Sequence, residues 1–80
     1  MMEMYSTKEI KAIINDHPKD ELLELIEQYI HHERNRNLLK RRLIDGVGFE
    51  PLSEEFDLTP RHCKNIVSAC QKIIFEKMIP

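Results

Sequence analysis

Loop-forming residues are scarce in this sequence, which holds two glycines and four prolines among its 80 residues. With 41% hydrophobic and 32% charged residues, the composition is that of a folded chain with short connections, and we expect one all-α domain of four or five helices. Long apolar runs are also missing. No stretch approaches the roughly 20 apolar residues that span a bilayer, and the N-terminus lacks the basic start and apolar centre of a signal peptide. We therefore expect a cytoplasmic protein without membrane contact.

Metal-binding spacings are missing as well. Cys63 and Cys70 lie two helical turns apart on one face, too far for a disulfide within a straight helix, and are predicted to be small packing residues. His31 and His32 are adjacent, so their side chains point about 100° apart on a helix and indicate a surface pair rather than a chelate. His62 belongs to no CxxC or HxxxH spacing. We expect no metal and no cofactor.

Motifs for catalysis are absent too. The chain has no glycine-rich phosphate loop and no nucleophile beside an obvious base. Its carboxylates follow the pattern of solvated helix surfaces. An enzyme is therefore not expected.

Charge is divided unevenly along the chain, although the formal net charge is only -2. Residues 1–33 hold three basic and eight acidic side chains, a formal charge of −5, whereas residues 34–80 hold nine basic and six acidic ones, a formal charge of +3. We expect acidic N-terminal helices that form a dimer or partner surface, followed by a basic C-terminal unit.

The first helices are predicted from local signals. Ser6 and Glu9 form a capping box, so a helix should begin at Thr7, and Pro18 should end it and stand in the first turn of a second helix. The second helix carries a wide apolar stripe from Leu22 to Ile30. Together with the small size of the chain, this stripe favours a homodimer.

The end of the second helix is left open by the sequence. The stretch from His31 to Asn37 has no apolar residue, glycine or proline. Either the chain breaks near Asn35 or one helix continues toward Asp45. In both alternatives Gly46 stops the helix.

A short helix, a tight turn and a long helix are predicted after Gly46. Pro51 should open the short helix, Asp57 can adopt the left-handed conformation of a corner, and Thr59 followed by Pro60 should start the long helix. Apolar residues define its predicted inner side: Cys63, Ile66, Val67, Cys70, Ile73 and Ile74. Polar residues define its outer side: Arg61, His62, Lys64, Asn65, Ser68, Gln71 and Lys72.

This pattern resembles region 4 of bacterial sigma factors and the related output domains of the LuxR type, over residues 38 to 78. The resemblance rests on a glycine after a scaffold helix (Gly46), a short helix with Leu52-Ser53-Glu54 and Phe56, the turn Leu58-Thr59, and the apolar spacing from Cys63 to Ile74. It implies a three-helix unit containing a helix-turn-helix. A small phage or mobile-element regulator is the kind of protein that this likeness suggests.

The resemblance implies sequence-specific binding of double-stranded DNA in transcription regulation, with the helix from Pro60 as recognition helix. The residues expected to read bases are Arg61, His62, Lys64, Asn65 and Ser68. Those expected to contact phosphates are Thr59, Lys72, Lys40, Arg41 and Arg42. The alternative is a helical protein-interaction module, an adaptor or inhibitor that binds RNA polymerase or another regulator without contacting DNA.

Overall fold

The computed structural model describes residues 6–78, and these form five α-helices and no strand. They are α1 (Thr7–Asn15), α2 (Lys19–Tyr29), α3 (Glu33–Leu43), α4 (Phe49–Phe56) and α5 (Pro60–Met78). The all-α prediction is confirmed, with the higher of the two expected helix numbers. No helix in this part of the chain is both long and apolar enough to cross a membrane.

The start of α1 follows the predicted capping box. The Ser6 hydroxyl accepts a hydrogen bond from the Glu9 amide at 3.2 Å, and the Glu9 carboxylate accepts one from the Ser6 amide at 2.9 Å. Pro18 lies one position earlier than predicted, as the N-cap of α2 rather than in its first turn. Its missing N–H costs nothing at either position, because the first amides of a helix have no partner within it.

The second helix ends before Asn35 and does not continue as one helix toward Asp45. α2 ends at Tyr29, and Ile30 adopts an extended conformation that places its side chain in the core with 3% exposure. His32 then caps α3, since its ring nitrogen Nδ1 accepts from the Asn35 amide at 3.4 Å. Asn35 therefore lies inside α3, one turn after the break.

One apolar core joins all five helices, and α5 contacts each of the other four. Its buried members are Ile10, Ile14, Leu22, Ile26, Ile30, Leu38, Leu39, Leu52, Cys63, Ile66, Val67, Cys70, Ile74 and Phe75. The apolar stripe of α2 that favoured a homodimer belongs to this core only in part: Leu22, Ile26 and Ile30 are buried, whereas Leu23, Leu25 and Tyr29 are half-buried. Dimerisation stays a prediction, and the stripe leaves less exposed apolar surface for it than the sequence indicated.

The buried side of α5 differs from the straight stripe predicted from periodicity. Ile73, predicted to face inward, is 40% exposed, and Gln71, predicted to face outward, is 5% exposed. Phe75 is buried as well. The buried side shifts around the helix toward its C-terminal half, because a helix of 19 residues that packs against four others is not covered along one line.

The connection from α3 to α4 turns at Gly46, as predicted, with a positive φ of 74°. The Val47 amide returns a hydrogen bond to the Arg41 carbonyl at 3.0 Å, which closes the end of α3. α4 begins at Phe49, two residues earlier than predicted, so Pro51 stands third in the helix. Proline is tolerated there, because that amide has no carbonyl partner within the first turn.

Candidate nucleic-acid interface

α4 and α5 are joined by a tight turn at Asp57. Asp57 is left-handed, with φ 58° and ψ 45°, and its amide donates to the Ser53 carbonyl. The Leu58 amide donates to the same carbonyl at 2.9 Å, and the Leu58 side chain packs against the core. The predicted helix, turn and helix are confirmed, and α3, α4 and α5 contact one another pairwise as a three-helix unit.

Thr59 caps α5 as predicted. Its Oγ1 accepts a hydrogen bond from the His62 amide at 3.0 Å. A hydroxyl has two acceptor lone pairs and one hydrogen, so the Thr59 hydrogen is still available to donate to a phosphate oxygen. The cap and a phosphate contact are compatible.

The outer face of α5 begins with exposed polar and cationic groups. Arg61, His62, Lys64 and Asn65 are exposed, whereas Ser68 is half-buried. Helical geometry places Arg61, Asn65, Ser68 and the exposed Lys72 along one narrow stripe, because their spacings of four, three and four residues approximate whole turns. No acidic residue occurs in the sequence from Thr59 to Phe75, so this stripe is uniformly neutral or positive.

Two of the three cations near the end of α3 already pair with carboxylates. Lys40 donates to Glu27 of α2, and this contact lowers the pKa of the Glu27 carboxyl. Arg41 binds both carboxylate oxygens of Glu55 at 3.1 to 3.2 Å and Asp45 at 2.9 Å. The hydrogen bonds to Glu55, and then to Asp45, raise the pKa of the Arg41 guanidinium further. These pairs join α3 to α2 and to α4.

Arg42 has a different environment. Its Nη1 donates to the Val47 carbonyl at 3.1 Å, and its Cζ lies 4.2 Å from the centre of the Phe49 ring. The ammonium of Lys64 approaches the same ring, at 5.7 Å from its centre. Phe49 thus brings a cation of α3 and a cation of α5 together. Nothing in the spacing of these residues indicated the contact, because each belongs to a different helix.

The exposed side of α4 is acidic. Glu50, Glu54 and Asp57, in the turn, are exposed and have no ion pair within residues 6–78, whereas Glu55 is held by Arg41. Carboxylates beside a DNA-contacting helix repel phosphates. This side of α4 is therefore unfavourable for contact with a polyanion.

The two cysteines are packing residues of the core, as predicted. Cys63 and Cys70 are buried and free, and burial raises the pKa of both thiols, which keeps them protonated at neutral pH. Within residues 6–78 no three His, Cys, Asp or Glu side chains are grouped as a metal site would require. A shallow depression of about 500 Å³ is lined by α1 and the residue after it, namely Ala12, Ile13, Asn15 and Asp16, and it holds no cation or nucleophile.

No family model, curated protein or solved structure matches this chain. The candidate interface rests on the geometry and charge of α3, α4 and α5 alone.

Proposed function

We propose that this chain binds double-stranded DNA sequence-specifically and acts in transcription regulation, with α5 as the recognition helix. The observation that carries the proposal is the first half of α5. On its inner side, Cys63, Ile66 and Val67 are buried in the core, and Thr59 caps its N-terminus. Its outer side exposes cationic and amide side chains to solvent. A rigid helix that presents such groups outward has the form that enters a major groove.

Each exposed side chain of this half of α5 has a chemical role in the proposal. The Arg61 guanidinium can donate two hydrogen bonds to guanine O6 and N7, and the Asn65 amide can pair with adenine N6 and N7. His62, Lys64 and Ser68 lie beside them and complete the predicted base-reading set. In the proposal, Thr59 at the start of α5 and Lys72 further along the same helix contact backbone phosphates.

The decisive experiment is selection of bound duplexes from a random-sequence pool. The native chain is compared with the double variant Arg61→Ala and Asn65→Ala, whose side chains have no hydrogen bond or ion pair within residues 6–78. The matched control is Lys11→Ala with Asn15→Ala. It removes an exposed cation and an exposed amide at the same i, i+4 spacing on α1.

We expect an enriched motif with the native chain and with the α1 control, and loss of that motif with the α5 variant. Selection by the α5 variant of the same motif as the native chain would refute base reading by α5. Absence of any enrichment at low salt, from a sample with native helical circular dichroism, would refute DNA binding itself.

A helical protein-interaction module is the second candidate, and the acidic side of α4 favours it. Glu50, Glu54 and Asp57 form an exposed anionic surface that suits a basic partner better than DNA. The variant Glu50→Gln with Glu54→Gln separates the two functions. If the chain binds DNA, removal of these charges raises its affinity for duplexes, whereas an adaptor shows little affinity for DNA at any salt concentration.

A further inference from the structure

We propose that Arg42 and Lys64 together bind one phosphate group, with the Phe49 ring holding both cations in place. The inference rests on the proposed function in one respect, that the phosphate belongs to a DNA backbone. It gives Lys64 a different role from the base reading predicted for it from its position on α5. It also assigns the phosphate contact to Arg42 and not to the neighbouring Arg41.

The two cations approach the same aromatic ring. Arg42 Cζ and Lys64 Nζ lie 4.2 and 5.7 Å from the same ring centre, so the two atoms are at most about 10 Å apart. This separation is within the Debye length at 0.1 M salt, about 10 Å, so each charge acts on the other without full screening. Two cations gathered at one place raise the local positive potential, and an anion between them relieves their repulsion.

Neither of the two cations has a carboxylate partner within residues 6–78. Lys40 and Arg41, in contrast, are each neutralised by acidic side chains. Arg42 is also held in position, because one of its N–H groups donates to the Val47 carbonyl. A guanidinium has five N–H donors, so most of them stay available for phosphate oxygens.

The two cations also lie next to the residues proposed to read bases. Arg42 is next to the last residue of α3, Phe49 begins α4, and Lys64 follows Arg61 by one turn of α5. The pair therefore borders the base-reading stripe of α5. A backbone phosphate bound there would set the depth and direction with which α5 enters the groove.

The experiment measures how duplex affinity depends on salt. Each phosphate neutralised contributes about 0.9 to the slope of log affinity against log salt concentration. A fluorescein-labelled duplex of mixed sequence is titrated with the native chain, Arg42→Gln, and the matched control Lys11→Gln, which removes one exposed positive charge from α1, outside the three-helix unit. Arg42→Gln should reduce the slope by about 1, and Lys11→Gln should leave it unchanged.

A double variant tests whether one phosphate or two are bound. If Arg42 and Lys64 share a phosphate that neither cation holds alone, Arg42→Gln with Lys64→Gln reduces the slope by about 1, as the single variant does, rather than by about 2. Arg42→Lys keeps the charge and should keep the slope. Equal slopes for Lys11→Gln and Arg42→Gln, or additive losses in the double variant, would overturn the shared site while leaving DNA binding intact.

A second probe separates failure of this site from failure of the proposed function. Inorganic phosphate is titrated into the native chain and into Arg42→Gln, and the ring proton signals of Phe49 are followed by NMR. Shifts in the native chain alone would support the phosphate site even if no duplex binds. Ring signals that do not move, or that move equally in both proteins, would overturn the site.

Discussion

Asp57 is the residue on which the corner between α4 and α5 depends. It is the only residue other than glycine with a positive φ within residues 6–78. Aspartate enters this left-handed conformation more readily than most residues, but glycine enters it without steric cost. A β-branched residue is strongly disfavoured there.

Substitutions at residue 57 should therefore follow backbone preference. We expect Asp57→Gly to raise the free energy of unfolding by up to about 1 kcal/mol and Asp57→Val to lower it by about 1–2 kcal/mol. Urea unfolding followed by circular dichroism measures both. Asp57→Asn serves as the control, because it removes the charge but tolerates the same conformation. A valine variant as stable as the native chain would contradict the left-handed corner.

Pairs of helices are held together by ionic contacts as well as by the core. Lys40 of α3 donates to Glu27 of α2, which lowers the pKa of the Glu27 carboxyl below its usual 4.5. A lowered pKa in the folded state means that the contact stabilises the fold fully above the unfolded pKa. That stabilisation is lost as the pH falls through the lower, folded value.

We accordingly expect Glu27→Gln to reduce the loss of unfolding free energy in acid. The comparison is urea unfolding of the native chain and the variant at a series of pH values from about 5 to about 3. Glu24→Gln is the matched control, since Glu24 is exposed on the same helix and has no ion pair within residues 6–78. If both variants lose stability as steeply as the native chain, the Lys40 contact does not form in solution.

The whole molecule is stabilised by a core that the five helices share. Leu39 is fully buried in it, so Leu39→Ala removes apolar contacts and leaves a cavity, with an expected loss of about 2–5 kcal/mol. A domain of this length has a total stability of roughly 4–12 kcal/mol, by the usual range per residue. The variant should therefore lose a large part of its stability.

Ile73 is the control for this prediction. It is 40% exposed although periodicity placed it inside, so Ile73→Ala should change the unfolding free energy by no more than about 0.5 kcal/mol. Thermal and urea unfolding of both variants give the comparison. A loss at Ile73 as large as that at Leu39 would mean that Ile73 is covered in solution, for example by a second copy of the chain.

The candidate interface was predictable from the sequence only in part. The exposed residues at the start of α5 were predicted because they follow a strong helix start and alternate with core positions. The different environments of Lys40, Arg41 and Arg42 were not predictable. Their partners include Glu27, Glu55 and Phe49, which lie on other helices, so no periodicity along one helix relates them.

The sequence by itself determined the features whose partners lie within a few residues. The capping box of Ser6 and Glu9, the turn at Gly46, the corner at Asp57 and the cap at Thr59 all depend on hydrogen bonds or backbone preferences that are local. Tertiary structure decided where α2 ends, which side of α5 is buried, and which cations have no carboxylate as an ion-pair partner. Those features depend on packing and charge between helices, and the positions of helices relative to one another are not encoded in local spacing.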